Sequence, residues 1–229
     1  MSSKLRTKAS EPNFFWEDQC SGSSCGLDEV GRGPLAGPVV AACVYIPLEK
    51  RTLDFIPRIR DSKKLSPKTL EELYTLISEN FMFGIAECTV DEIDEINILQ
   101  ASFCAMRRAF DLCFSQNKII APKTMTALID GHITPSFPCP ARAVVKGDSK
   151  SVSIAAASIL AKVTRDRIMG KLSLDHPHYG WEHNAGYPTP AHLNAIEQNG
   201  ITPHHRKTYA PVRHFIEFGT VHRQMSLAV

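Results

Sequence analysis

Cys25-Gly-Leu-Asp-Glu-Val-Gly-Arg-Gly-Pro-Leu-Ala-Gly-Pro38 sets two adjacent carboxylates, Asp28 and Glu29, in a short apolar run and follows them with Gly-Arg-Gly. Residues 27–30 and 39–46 are β-rich runs separated by Gly and Pro, which predicts two antiparallel strands joined by a tight connection. Ser66 followed by Pro67 is a helix start, with Leu70, Leu73, Leu76 and Ile77 at helical spacing behind it. A strand over 81–88 follows. Asp91 then opens an acidic, interrupted helical stretch, and 98–114 forms a long helix with Leu99, Phe103, Met106, Phe110 and Cys113 on one side. Residues 126–130 make a short buried strand ending in an acid beside Gly131, and 142–146 make another. The helix over 151–172 is apolar nearly all round in its first half, which predicts burial against a sheet. Shorter helices are expected over 190–198 and 212–218. This order describes an α/β fold, a mixed sheet flanked by helices with a small helical C-terminal appendage. The expected organisation is an irregular N-terminal extension over 1–20, a catalytic domain over 21–175 and the appendage over 176–229. The extension reads as loosely attached, with Phe14-Phe-Trp16 as the aromatics that would pin it to the body.

With 229 residues, 43% hydrophobic and 22% charged, the chain can build one large core. No apolar run approaches the roughly 18 residues of a membrane span, and no secretory signal pattern opens the sequence. Seven cysteines lack metal-ligand spacing, so they read as small buried hydrophobes with reduced thiols. A cytoplasmic address is the expectation. The chain is read as a monomer, since no long exposed apolar seam is present.

Asp28, Glu29, Asp130 and Asp148 stand at strand ends or beside glycine, in contexts too apolar or too tightly turned for casual surface charge. Buried carboxylates need cations or a shifted pKa. Two readings stand. Each acid has its own local partner, Asp28 with Arg32 and Asp130 with its turn, while Glu29 faces solvent; or the four together hold divalent metal. Mg²⁺ and Mn²⁺ take oxygen ligands and keep waters, and a pair of ions about 3.5–4 Å apart suits in-line phosphodiester hydrolysis. Adjacent strand residues point to opposite faces, so Glu29 must reach the site around an edge, with Gly31 and Gly33 easing the backbone there.

The formal charge of +2 does not announce a nucleic-acid binder, but basic residues cluster over 58–64, 146–150, 162–167 and 204–207. Lys63 and Lys64, and Lys146, Ser149, Lys150 and Ser151 near a helix start, suit phosphate contacts if the fold gathers them, and are otherwise ordinary surface. The stretch 31–37 lacks the ending of a P-loop and serves better for close backbone approach to a sugar or phosphate. Tyr187, in Gly186-Tyr-Pro-Thr189, offers a ring that stacks on a base or sugar, or simply packs. The nine histidines include no HExxH pair, and His132 lies near the acids or on a loop surface.

Gly26-Leu-Asp-Glu-Val-Gly-Arg-Gly-Pro-Leu-Ala-Gly-Pro38, Asp61-Ser-Lys-Lys-Leu65, Ile129-Asp-Gly131, Lys146-Gly-Asp-Ser-Lys150, Ser153-Ile-Ala-Ala-Ala-Ser-Ile-Leu-Ala-Lys162 and Gly186-Tyr187 together resemble the bacterial ribonuclease HII family. The resemblance runs over residues 25–215. It implies a ribonuclease H-like fold with a mixed five-stranded sheet, and endonucleolytic cleavage of RNA paired with DNA and of DNA at single embedded ribonucleotides, leaving 3′-hydroxyl and 5′-phosphate ends. By the same resemblance, Asp28, Glu29, Asp130 and Asp148 bind two Mn²⁺ or Mg²⁺ ions. Gly31, Arg32 and Gly33 sense the 2′-hydroxyl through the backbone, Tyr187 stacks at the neighbouring sugar, and Lys63, Lys64 and Ser149 contact phosphates. The family's His-Arg-x-Ser-Phe motif is His205-Arg-Lys-Thr-Tyr209 here. Two rivals are weighed beside this: a noncatalytic hybrid-binding module, and a different phosphoryl-transfer nuclease of the same fold that cuts all-DNA substrates.

Overall fold

Five strands form one mixed sheet among residues 11–115 and 125–221, the parts that the computed structural model describes. They are β1 (Ser24–Val30), β2 (Val39–Tyr45), β3 (Met82–Cys88), β4 (Thr126–Asp130) and β5 (Ala141–Val144), in the order β3-β2-β1-β4-β5. β2 runs antiparallel to β1 and β3, and β4 runs parallel to β1 and β5. Leu27 stands opposite both Cys43 and Ile129, so β1 is the central strand and its C-terminal end lies beside that of β4. The expected strand over 142–146 stops at Val144, because Lys146 turns into left-handed conformation (φ 55°) to start a 3-10 turn, Gly147–Ser149.

The helices are α1 (Phe15–Asp18), α2 (Pro67–Asn80), α3 (Val90–Ser115), α4 (Val152–Asp175), α5 (Trp181–Asn184), α6 (Pro190–Asn199) and α7 (Ala210–Phe218). α2 begins as the sequence predicts, with the Ser66 hydroxyl accepting from the Thr69 amide and Pro67 in the first turn. The interruption before residue 98 is a break at Asn97 (φ 66°), whose carboxamide oxygen caps the next turn by accepting from the amides of Leu99 and Gln100.

Side-chain alternation divides β1 and β2 between two cores. Leu27, Ala41 and Cys43 pack with α3, while Ala42 and Val44 pack with α4 and α2. α4 is buried on every side from Val152 to Ala161, which its run of Ala and Ser permits. A Cβ on Gly26 would come 2.2 Å from the Ile154 nitrogen, so backbone of β1 and α4 is in direct contact two residues before Asp28. In α3, Leu99 and Phe103 are only half-buried; the covered stripe runs through Ala105, Met106, Ala109, Phe110 and Cys113.

A third cluster joins Tyr179, Trp181, Ala195, Ile196 and Val212 of the C-terminal segment to Leu35, Ala36 and Met169. The helical appendage therefore packs against the loop that follows the two adjacent acids.

The N-terminal extension departs from expectation. Residues 1–10, like residues 222–229 of the expected appendage, lie outside the described residues, but 11–20 are not loosely attached. Phe14 packs on the core, and buried Glu17 accepts from the Ser151 hydroxyl (2.6 Å), the Ser153 amide (2.9 Å) and the Ser153 hydroxyl (2.7 Å). Its carboxylate satisfies donors at the N-terminus of α4, where a negative charge is favoured.

Candidate active site

Asp28 and Asp130 come together because β1 and β4 are parallel and in register. Leu27 pairs with Ile129, and the next residue of each strand is an aspartate on the α4 side. Asp28 is 7% exposed, and its Oδ1 accepts from the Glu29 amide at 2.7 Å. Asp130 Oδ1 accepts from the Gly147 amide at 2.6 Å, which ties the β4 end to the turn carrying Asp148. Asp148 is 8% exposed, and its Oδ2 lies 3.7 Å from Lys63 Nζ.

Glu29 does not join Asp28 by bending the strand. β1 stays paired with β2 through Val30, so Glu29 points to the α3 side as alternation requires. It meets the other acids at the strand end, where Asp130, Gly131 and His132 line cavities on both sides. One, about 560 Å³, is bordered by Asp61, Lys63, Lys64, Lys146, Asp148 and Ser149. The other, about 200 Å³, is bordered by Glu29, Arg32, Leu99 and Phe103. The simple pairing of Asp28 with Arg32 is not formed. Arg32 Nη1 instead donates to Glu29 Oε1 at 3.2 Å, and Glu29 Oε2 is buried without a hydrogen-bond partner.

Electrostatics mark the cluster as short of positive charge. Burial, and then the charges of Glu29, Asp130 and Asp148, push the Asp28 carboxyl well above the ordinary carboxylate range. Burial also raises Glu29, with Asp130 adding to the rise and Arg32 opposing it. Asp148 is raised by burial and by Asp130 and Asp61, against the pull of Lys63. For Lys63, burial works against the charge, yet Asp148, Asp28, Asp61 and Asp130 together lift its pKa.

Hard oxygen donors with an orphaned buried oxygen fit a hard divalent cation. Among the described residues no group of three or more His, Cys, Asp or Glu side chains stands close enough together to hold a metal ion as placed. An ion bound there would keep waters and take further oxygens from a substrate.

Gly31 begins the turn after β1 with φ +95°, and a Cβ there would lie 2.2 Å from Arg165 Nε. Tyr187 is 45% exposed, and its ring covers Gly33, where a Cβ would come 3.3 Å from Cε1. Glycine turn and aromatic ring thus meet. Lys63, Lys64 and Ser149 border the larger cavity.

Two arginines escaped the sequence reading, which placed them in basic surface segments. Arg165 and Arg206 are 1% and 0% exposed, and they spend their guanidinium donors on backbone carbonyls. Arg165 donates to Pro38 O (2.9 Å), Ala185 O (2.9 Å) and Ala36 O (3.0 Å). Arg206 donates to Gly31 O (2.6 Å), Arg32 O (3.0 Å) and Gly37 O (2.8 and 3.0 Å). Together they clamp residues 31–38 from α4 and from the C-terminal segment. Burial lowers the Arg165 pKa to about 10, with Arg206 adding to the effect. The available signal was helical spacing, since Arg165 stands four residues from both Ala161 and Met169 in the stripe that continues the buried half of α4.

The sequence model of one family, described as Ribonuclease HII, matches residues 25–215. Over 207 residues the chain is 49% identical to the ribonuclease HII of Paramagnetospirillum magneticum, covering 90% of this chain and 100% of that protein. Over 193 residues it is 50% identical to the ribonuclease HII of Magnetococcus marinus, covering 84% and 86%. The crystal structure of ribonuclease H2 from Pyrococcus horikoshii is similar with TM-score 0.67 and 27% identity, covering 86% of this chain and 98% of that one.

Proposed function

The chain belongs to the ribonuclease HII family and is a ribonuclease H, an endonuclease for RNA–DNA hybrids, and from that premise we propose that it also incises duplex DNA at single embedded ribonucleotides, leaving 3′-hydroxyl and 5′-phosphate ends. The observation that carries this reading is the placement of the Gly31–Gly33 turn, roofed by Tyr187, directly after the strand that ends in Asp28 and Glu29. A backbone turn without side chains can approach a sugar, and the 2′-hydroxyl is what distinguishes RNA from DNA there.

In this reading Asp28, Glu29, Asp130 and Asp148 hold two divalent ions, Mn²⁺ or Mg²⁺. When bound, the ions supply Lewis acidity to the attacking water and to the leaving 3′-oxygen. Asp130 fixes the Asp148 turn through the Gly147 amide, so the two carboxylates move as a unit. Lys63 is held beside Asp148 and turns to a substrate phosphate when one arrives, while Lys64 and Ser149 border the same cavity as further phosphate contacts. Within the turn, Arg32 O already accepts from Arg206 and from the Tyr209 hydroxyl, which uses both its lone pairs. Reading of the 2′-hydroxyl therefore falls to the remaining backbone groups of Gly31, Arg32 and Gly33. Tyr187 stacks on the adjoining deoxyribose. The protein works as a monomer in the cytoplasm, with the domain over 21–175 carrying the chemistry and the described part of the appendage, through Arg206 and its apolar cluster, bracing the turn.

Three end-labelled duplexes test this: one all DNA, one with a single ribonucleotide, one with an all-RNA strand. Incision of the second and third, with ends that a polymerase extends directly, is expected. Equal cutting of the all-DNA duplex would remove the 2′-hydroxyl reading, and binding without turnover would favour a noncatalytic module.

A further inference from the structure

His192, His205 and Trp181 are each fully buried in the C-terminal segment, and none of them belongs to the acidic site. Their hydrogen bonds admit one arrangement of protons. His192 Nδ1 lies 2.9 Å from the Tyr187 carbonyl oxygen, which can only accept, so Nδ1 carries the hydrogen. His192 Nε2 is then an acceptor, and it receives the Trp181 indole N–H at 3.1 Å. The same Nε2 is 3.1 Å from His205 Nε2, whose N–H shares with the Trp181 N–H the single lone pair of that nitrogen. His205 Nδ1 accepts in turn from the Thr202 amide at 3.0 Å. Every donor in this relay points the same way, from Thr202 through His205 and His192 to the carbonyl of Tyr187, a pattern in which successive bonds polarise one another.

That carbonyl is the last of three held from three different directions. Ala185 O accepts from Arg165 of α4 at 2.9 Å, Gly186 O accepts from the Leu35 amide at 2.7 Å, and Tyr187 O accepts from the Thr189 amide at 2.8 Å and from His192 of α6. The backbone that presents the Tyr187 ring is thereby fixed relative to the loop containing Gly33, which that ring covers. An apolar side chain at position 192 would fill the same space without burying polar atoms, so space filling alone does not account for an imidazole aimed at this carbonyl.

We propose that His192 is a positioning residue that sets the stance of Tyr187 over Gly33, and that it thereby contributes to the recognition of a single ribonucleotide flanked by deoxyribose. The proposal rests on the reading of Tyr187 as the stacking ring. Asn and Gln substitutions divide the imidazole in two: the carboxamide introduced by His192→Asn reaches the place of Nδ1 and can still donate to Tyr187 O, whereas the one introduced by His192→Gln reaches the place of Nε2 and leaves that carbonyl without this donor.

The test is kcat/KM of the full-length, Mg²⁺-loaded protein on the single-ribonucleotide duplex and on the all-RNA hybrid, for H192N, H192Q, Y187A and the H192Q/Y187A double variant. H192N is expected to keep the ratio of the two within about twofold, and H192Q to lower it about tenfold, a shift of about 1.4 kcal/mol. In the Y187A background H192Q should lower the ratio no further. An unchanged ratio in H192Q, or the same further loss with Y187A present, overturns the positioning role. A ratio untouched by Y187A overturns the stacking reading and this proposal with it. If H192Q does not fold, His205→Asn, whose carboxamide reaches the place of Nδ1 but removes the Nε2 donor to His192, should lower the ratio by a smaller factor; no change there overturns the proposal.

Discussion

Replacing Arg206 by Met keeps the length of the side chain and removes all of its donors. Gly31 O and Gly37 O then lose the donors that Arg206 supplies, while Arg32 O keeps the Tyr209 hydroxyl. A buried carbonyl without a partner costs about 1–3 kcal/mol, so the two together cost about 2–6 kcal/mol. Part of this is returned because a desolvated guanidinium is no longer buried, which leaves a net loss of about 2–4 kcal/mol. With a urea m-value of about 2 kcal/mol/M, the unfolding midpoint should fall by roughly 1–2 M. Below that midpoint, the freed turn should lower kcat/KM on the single-ribonucleotide duplex about tenfold or more. Arg206→Lys, which restores charge but only part of the fork, should fall between the two. A midpoint within about 0.3 M of the parent, with unchanged kcat/KM, would refute the clamp.

The glycines of the turn should behave differently. Gly31→Ala meets both a positive φ and the Arg165 side chain and should cost about 2 kcal/mol or more, whereas Gly33→Ala meets only the Tyr187 ring and should change stability by about 0.5 kcal/mol or less; equal melting temperatures would contradict this. His205 is lowered to about 3, by burial first and then by His192, His176 and His204 nearby. Its folded pKa is depressed below the ordinary 6.5, so the stability it contributes is present above pH 6.5 and is lost as pH falls towards 3, to a ceiling of about 5 kcal/mol. Between pH 7 and pH 5 the urea midpoint of the parent should therefore fall relative to that of a His205→Gln variant, which keeps the raised carboxyls of the acidic site but lacks this imidazole, and equal changes in the two would speak against it. Asp28→Asn keeps the Oδ1 acceptor for the Glu29 amide and removes a charge repelled by Glu29, Asp130 and Asp148. In chelator at neutral pH it should melt higher than the parent while losing incision; a lower melting temperature would rule out net repulsion at that position.

Much of the framework was legible because it depends on local pattern. The strand over 126–130 and the Ser66-Pro67 helix start are fixed by a short apolar run ending at a glycine and by capping, each within a few residues. The apolar first half of α4 announced its burial for the same reason. What pattern could not supply was the direction in which long polar side chains turn. Arg165 and Arg206 look like surface charge in sequence, yet the carbonyls of residues 31–38, distant along the chain, draw them inside. Glu17 was hidden in a polar stretch because the donors it satisfies, Ser151 and Ser153, lie more than a hundred residues away. The four acids could be named from their setting. How Glu29 approaches required the register, which shows it on the opposite side of the sheet from Asp28 and meeting the others at the strand end.

The central claim, that these carboxylates act by holding divalent ions at a 2′-hydroxyl-reading turn, is tested most directly by Asp130→Asn on the single-ribonucleotide duplex, with Mn²⁺ or Mg²⁺ and with chelator. Asn preserves the oxygen that accepts from the Gly147 amide, so the Asp148 turn should stay in place and the variant should fold. Removal of several kcal/mol of transition-state stabilisation predicts at least a roughly thousandfold loss of incision in the variant, and complete loss for the parent in chelator. Incision that persists in chelator, or that survives in folded Asp130→Asn at near-parental rate, would contradict the account.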